Sequence, residues 1–209
     1  MDNKKILTGD TVRVVLCDVR NLAFCNVVGL PCLTEKDLAA ADKFSEESDK
    51  VSRLISAYLK RKYVGKWTEN DCGKPVAENV FFNVSHCDGA VLFVCSENEI
   101  GIDAEKVRPI SDAIKNRVLS EYEMRFAGSD EDFLALWTAK ESLVKARGTG
   151  VDRRPQYIPS MPFNGVKEFC GEKYYAVVLT TDGIIVSVVR KGEKPFTAEI
   201  TKERLPLRK

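Results

Sequence analysis

Histidine is almost missing from this 209-residue chain: His86 is the only one. Any mechanism that draws two imidazoles from one chain is therefore excluded. A Ser-His-Asp triad needs a single imidazole, but no serine stands in a G-x-S-x-G turn, so a hydrolase elbow has no place here. A dominant charge sign is missing too. Thirty-two Lys and Arg stand against 31 Asp and Glu, a formal net charge of +1. That disfavours a basic chain built for non-specific nucleic-acid binding, so no nucleic-acid partner is expected. No uncharged apolar run is long enough to cross a bilayer, and the first ten residues hold no apolar stretch of the secretory kind. A cytoplasmic location with no membrane partner is expected. The seven cysteines are odd in number and include no C-x-x-C pair, which argues against a disulfide frame or a zinc site. Most sit in apolar runs, such as Val15-Leu16-Cys17 and Phe93-Val94-Cys95, and read as buried reduced thiols. No low-complexity segment or obvious repeat is present.

What is present is an ordinary globular mix, 44% hydrophobic and 30% charged, long enough for one large or two small domains. Residues 11–19 read as a first strand. Thr34 with Asp37 reads as a helix start, and helices are expected over 35–44 and 47–64. Apolar runs at 80–84, 90–96 and 99–105 read as strands, with Pro109 ending the last. Helical spacing returns at 111–118, 120–127 and 130–147. Residues 148–165 are rich in Gly and Pro. Strands are expected at 174–180, 184–189 and 196–200, with Asp182-Gly183 as a hairpin turn, and then a frayed basic tail. The order implies an α+β fold in two halves, 1–102 and 103–209, packed tightly without a linker.

Three constellations could carry chemistry. Asp103 and Glu105, two apart on a strand, point to one face. Two carboxylates so placed repel unless a cation lies between them, and Mg2+ takes such oxygen ligands. Taken alone the pair fits an exposed acidic stripe, but Gly101 in the same strand marks close approach of a ligand or another backbone. Trp137, Glu141 and Lys145 share a helix face. They are either core plus a surface ion pair, or a third carboxylate for the metal with Lys140 and Lys145 neutralising phosphate. The Gly73-Lys74-Pro75 turn and Asn83-Val84-Ser85-His86 supply donors for an anion, unless Ser85 and His86 only close a turn.

In order and spacing, Gly73-Lys74-Pro75, Phe82-Asn83-Val84-Ser85-His86, Ile100-Gly101-Ile102-Asp103-Ala104-Glu105 and Trp137-Thr138-Ala139-Lys140-Glu141-Ser142-Leu143-Val144-Lys145 resemble the 4′-phosphopantetheinyl transferase superfamily. The resemblance is to the long, surfactin-synthetase-activating type and spans about residues 73–150. It implies transfer of 4′-phosphopantetheine from coenzyme A to a serine of an acyl or peptidyl carrier protein, with release of 3′,5′-ADP. It also implies two similar α+β halves related by pseudo-two-fold symmetry in a monomer.

By the same resemblance, Asp103, Glu105 and Glu141 would hold Mg2+, and Lys140 and Lys145 would lie along the phosphates. Lys74, Pro75, Ser85 and His86 would meet the nucleotide end and its 3′-phosphate. Glu141 and Lys145 would be catalytic, with Glu141, or less directly Glu105, as general base. Glu123 stands where relatives often carry a glutamate. The chain departs from the pattern at Cys87, where Ser-His-Ser is common, and at Ser52, where some relatives place arginine. Lys43, Lys50 or Arg53 could substitute there. Carrier proteins of this kind are acidic, so the stretches Ile114–Leu119 and Arg147–Arg154, with Lys115 and Arg117 as cations and Val118, Leu119, Val151 and nearby Tyr157 as apolar members, form an expected docking surface, unless they are only solvated helix ends. The competing readings are a non-catalytic relative that binds coenzyme A or carrier proteins, and another Mg2+-dependent phosphoryl enzyme.

Overall fold

Strand β1 (Thr11–Asp18) sends its apolar side chains into two different cores. Val12, Val14 and Leu16 enter one, Val15 and Cys17 the other, as the two-residue period of a strand requires. The computed structural model describes residues 10–70, 73–78, 80–149, 155–160 and 164–207. After β1 come the short helix α1 (Phe24–Val27), then α2 (Glu35–Ala41) and α3 (Glu47–Tyr63). Asp37 accepts from the Thr34 N–H at 2.8 Å and holds the start of α2, and it also binds Arg61 of α3 at 2.8 Å. Leu54, Ile55, Tyr58 and Leu59 form the buried stripe of α3. A two-strand hairpin, β2 (Thr68–Glu69) and β3 (Pro75–Val76), precedes a longer one, β4 (Phe81–Cys87) and β5 (Ala90–Ser96).

The chain then repeats this order. Strand β6 (Ile100–Lys106) leads into α4 (Asp112–Val118), a 3-10 turn at Glu123–Phe126 and α5 (Asp130–Arg147). Ser129 caps α5 by accepting from the Asp132 N–H at 3.1 Å, while Asp132 accepts from the Ser129 N–H at 3.0 Å. Gly148, at φ 71°, ends the helix in the left-handed conformation that glycine tolerates. A 3-10 turn at Pro155–Tyr157 and strands β7 (Gly165–Phe169), β8 (Glu172–Thr181), β9 (Ile184–Lys191) and β10 (Thr197–Lys202) complete the described elements.

Two four-stranded sheets result, in the orders β10-β1-β5-β4 and β6-β9-β8-β7. In each, the strand before the helices pairs antiparallel with the second strand of the hairpin that follows them. The sheets bury Val14, Leu92, Ile102 and Val188 between them. Helix α3 covers the outer face of the first sheet, and α5 that of the second. The α+β class is as expected, in the layer order helix, sheet, sheet, helix.

Several expectations need correction. The boundary placed at 102/103 falls inside β6, all of which pairs with β9, and β10 returns to lie parallel to β1 in the first sheet. Residues 120–127 form only a 3-10 turn, because Ser120 donates its N–H and hydroxyl to Glu123 and tightens the chain. Strand β7 was not expected: it follows the Gly- and Pro-containing stretch, sharing only Gly165 with it, and is a largely exposed edge without an apolar alternation. The tail is not frayed at its start: Glu203 binds Lys62 and Tyr63, each at 2.5 Å, and Leu205 packs on the first core. Among the cysteines, Cys17 and Cys95 are buried free thiols, but Cys25, Cys32 and Cys170 are exposed. Cys32 and Cys170 occupy turn positions of positive φ, 69° and 53°. Cys72 lies outside the described residues. No described helix is long and apolar enough to cross a membrane.

Candidate active site

Gly101 sets how closely α5 approaches β6. A Cβ there would lie 2.1 Å from the Ser142 carbonyl oxygen and 2.4 Å from the Ala146 nitrogen, so only glycine fits. The close approach marked by this residue is therefore that of another backbone. Ile100, Ile102 and Ala104 face the inter-sheet core, which leaves Asp103 and Glu105 on the α5 side with Gly101.

There Asp103 Oδ1 accepts from Lys145 Nζ at 2.6 Å and from Ser85 Oγ at 2.9 Å. Lys145 Nζ also reaches Ser85 Oγ at 3.3 Å. Asn83 ties β4 to β6 by accepting from the buried Ile102 N–H at 3.2 Å. Glu141, one turn before Lys145, is almost fully buried. Its carboxyl is pushed up to about 7, first by burial, then by the charge of Asp103 and, more weakly, Glu105; Lys145 pulls the other way. Glu105 pairs with Arg108 at 3.2 Å.

Among the described residues, no three His, Cys, Asp or Glu side chains stand in a ready-made metal cage, and Lys145 covers Asp103. The donor chemistry nonetheless suits a hard cation. Asp103, Glu105 and Glu141 offer oxygen only, and their mutual repulsion is what a cation relieves.

Strand alternation separates two residues that the sequence reading grouped. Ser85 turns toward Asp103, whereas His86 is exposed and points to the α3 side. His86 lines a cleft of about 360 Å3 with Ser52, Arg53, Lys60, Gly73 and Pro75. Of the three substitute cations considered, Arg53 reaches this cleft. Lys50 instead pairs with Asp42 at 3.5 Å and lies over the Phe24 ring; Lys43 does not line the cleft. Lys60 was missed, because no motif or spacing in the sequence marks it. It is buried, with its ammonium 4.9 Å over Trp67, and burial lowers its pKa. Cys87 returns to the Ser85 side. Burial and the nearby Glu105 and Asp103 push its thiol up to about 12, so it remains neutral.

Two lysines lie elsewhere than the resemblance implies. Lys74 donates to the Ala146 carbonyl at the end of α5, and its chain passes against the bare Cα of Gly148. It does not line the His86 cleft. Lys140 is 0% exposed. Its ammonium binds Glu123 Oε2 at 2.7 Å and the Val118 and Pro155 carbonyls at 3.2 Å each. Three acceptors inside the fold hold this cation, and Glu123 is its counter-charge.

The expected docking segment also changes. Lys115 pairs with Asp130 at 2.7 Å, and Val118 and Leu119 are buried. The exposed apolar residues here are Ile114, Tyr122 (65%) and Phe126 (57%), the last two in edge-to-face contact. Arg147 lies over Phe169, and residues 150–154 are outside the described set.

This mixed α+β chain, with carboxylates and a lysine converging between β6 and α5, matches a family model over residues 99–181, described as the 4′-phosphopantetheinyl transferase superfamily. Over that segment the chain is similar to that superfamily. It is 30% identical over 138 residues to the 4′-phosphopantetheinyl transferase gsp of Aneurinibacillus migulanus, covering 58% of this chain and 56% of the relative. It is 34% identical over 95 residues to the 4′-phosphopantetheinyl transferase Sfp of Bacillus subtilis strain 168, covering 41% and 42%. With the 4′-phosphopantetheinyl transferase HetI of Nostoc it shares 36% over 96 residues, covering 38% and 40%. The chain thus spans about half the length of the curated relatives it matches.

Proposed function

We propose that this chain transfers the 4′-phosphopantetheine group of coenzyme A to a serine hydroxyl of an acyl or peptidyl carrier protein, giving the holo-carrier and 3′,5′-ADP. The observation that carries this reading is the convergence of Asp103, Glu141 and Lys145, all within the segment that matches the superfamily, with Ser85 of β4 joining them. The serine oxygen forms a bond to the β-phosphorus of the pyrophosphate, and the bond to 3′,5′-ADP breaks. A Mg2+ held by Asp103, Glu105 and Glu141 would supply positive charge at that pyrophosphate. Glu141 takes the serine proton. Lys145 moves its donor from Asp103 to a phosphate oxygen, where charge develops. Arg53, Lys60 and His86 line a cleft suited to the nucleotide end, with Pro75 shaping its wall.

The two units follow one strand–helix–hairpin order, which supports a pseudo-two-fold relation between fused halves in a monomeric enzyme. The exposed Ile114, Tyr122 and Phe126, beside Arg117 and Arg125, form the surface on which an acidic carrier protein docks. The test is mass spectrometry of an apo-carrier protein incubated with this chain, coenzyme A and Mg2+. A phosphopantetheine mass shift is expected. No shift across fatty-acid, polyketide and peptide-synthetase carriers, with coenzyme A still bound, overturns transfer in favour of a non-catalytic binder.

A further inference from the structure

A second cleft opens where β1 begins and where β5 and β9 end. Its volume is about 380 Å3, and none of the candidate active-site residues line it. Two of its side chains are buried polar groups with bonding capacity to spare. Arg190 of β9 is 8% exposed and Ser96 of β5 is 6% exposed.

Arg190 makes one long hydrogen bond, from Nη2 to the Lys194 carbonyl at 3.4 Å, and its guanidinium lies 4.4 Å over the Phe196 ring. A guanidinium has five donors. Among the described residues no buried side-chain nitrogen or oxygen lacks a partner, so the unused N–H groups of Arg190 open into the cleft. Ser96 Oγ accepts from the Asn98 N–H at 3.2 Å, which leaves its own O–H free to donate.

No described carboxylate lies within ion-pair distance of Arg190. The neighbouring charges have partners of their own: Lys194 binds Asp10 at 2.6 Å, Lys173 binds Glu193 at 2.8 Å, and Lys191 bridges Glu99 and Glu172. Burial pulls the Arg190 pKa below its ordinary value, with Asp10 only partly offsetting it. A buried cation without a counter-charge is costly, and a planar guanidinium fork matches two oxygens of one anion.

The geometry points to a binding site for a small oxyanion, a phosphate or carboxylate group, held between Arg190 and Ser96 at the seam of the two sheets. Glu97 on the rim opposes the anion. An anion there joins the end of β5 to the end of β9, so it clamps one sheet to the other. The site is independent of the proposed transfer.

The test is titration of the full chain with inorganic phosphate, followed by 31P line broadening, and with 13C-acetate, followed by 13C line broadening, at fixed ionic strength in chloride. Wild type should broaden at least one signal, and which one responds identifies the anion. Arg190→Gln should weaken binding at least about tenfold, and Ser96→Ala less, with near-UV circular dichroism reporting the fold. Ser96→Ala decides the matter if Arg190→Gln does not fold. Lys145→Ala should bind as wild type. No binding of either anion, wild-type binding in both Arg190→Gln and Ser96→Ala, or loss of binding in Lys145→Ala alone would overturn the site.

Discussion

Lys145 lies 2.6 Å from Asp103, and this one ammonium ties α5 to β6 and, through Ser85, to β4. Asp103→Ala removes both the acceptor and one candidate metal ligand. Transfer should fall by on the order of 10²-fold or more, since a cation clamp supplies several kcal/mol at the transition state. The fold should survive, because Glu141 loses a repelling neighbour. Single-turnover transfer beside a thermal melt checks both parts; an Asp103→Ala variant with wild-type transfer would place the site elsewhere.

Glu141 makes stability depend on pH. Its carboxyl is raised from 4.5 to about 7 in the folded chain, so between these values the native state holds a proton that the unfolded state has released. Stability must therefore fall as pH rises from about 4.5 to about 7, by about 3 kcal/mol, and stay low above that. Urea titrations in EDTA measure it. Glu141→Gln should flatten the profile and be the more stable protein at pH 8. An unchanged slope would show that Glu141 does not titrate in this window.

Gly101→Ala forces a Cβ onto two backbone atoms of α5, and backbone cannot rotate away as a side chain can. The cost should be about 3 kcal/mol, the upper range for overpacking, lowering the melting temperature by roughly 6–12 °C in a chain of this size. A melting temperature within 2 °C of wild type would mean that α5 slides at no cost.

Lys140→Met leaves Glu123 buried without its partner, at a cost of about 3–5 kcal/mol. Lys140→Met with Glu123→Leu should recover most of that loss. Were Lys140 instead a phosphate ligand, the single variant would melt like wild type and lose coenzyme A affinity. Denaturant midpoints and calorimetric titration separate the two outcomes.

Arg117→Glu combined with Tyr122→Ser should raise the KM for carrier protein several-fold and reduce its salt dependence, while the KM for coenzyme A holds. Lys115→Glu would be a poorer probe, since it also breaks the Asp130 pair. Equal losses for both substrates would indicate a folding defect.

Much of the site was legible because strand and helix periods are rigid. Asp103 and Glu105 had to share a face, Glu141 and Lys145 had to lie one turn apart, and Gly101 announced a close approach. Lys140 points elsewhere because adjacency to Glu141 says nothing about direction: one residue along a helix is about 100° around it, enough to turn an ammonium toward the core. Ser85 and His86 failed as a set for the parallel reason in a strand. Lys60 and Glu203 could not be seen, since their partners, Trp67 and the Lys62–Tyr63 pair, meet them only in three dimensions.

The parallel pairing of β10 with β1, Thr11 against Thr197, bears on how the chain reaches its native state. As the protein emerges from a ribosome, β1, β5 and β4 can assemble early, but one flank of β1 offers unpaired N–H and C=O groups until residues 197–202 arrive. Such an edge is a template for pairing with another chain, and contacts so distant in sequence form slowly. Aggregation of nascent chains should therefore concentrate in that interval. A short excess peptide spanning Thr197–Lys202, added during refolding, should protect against it by covering β1.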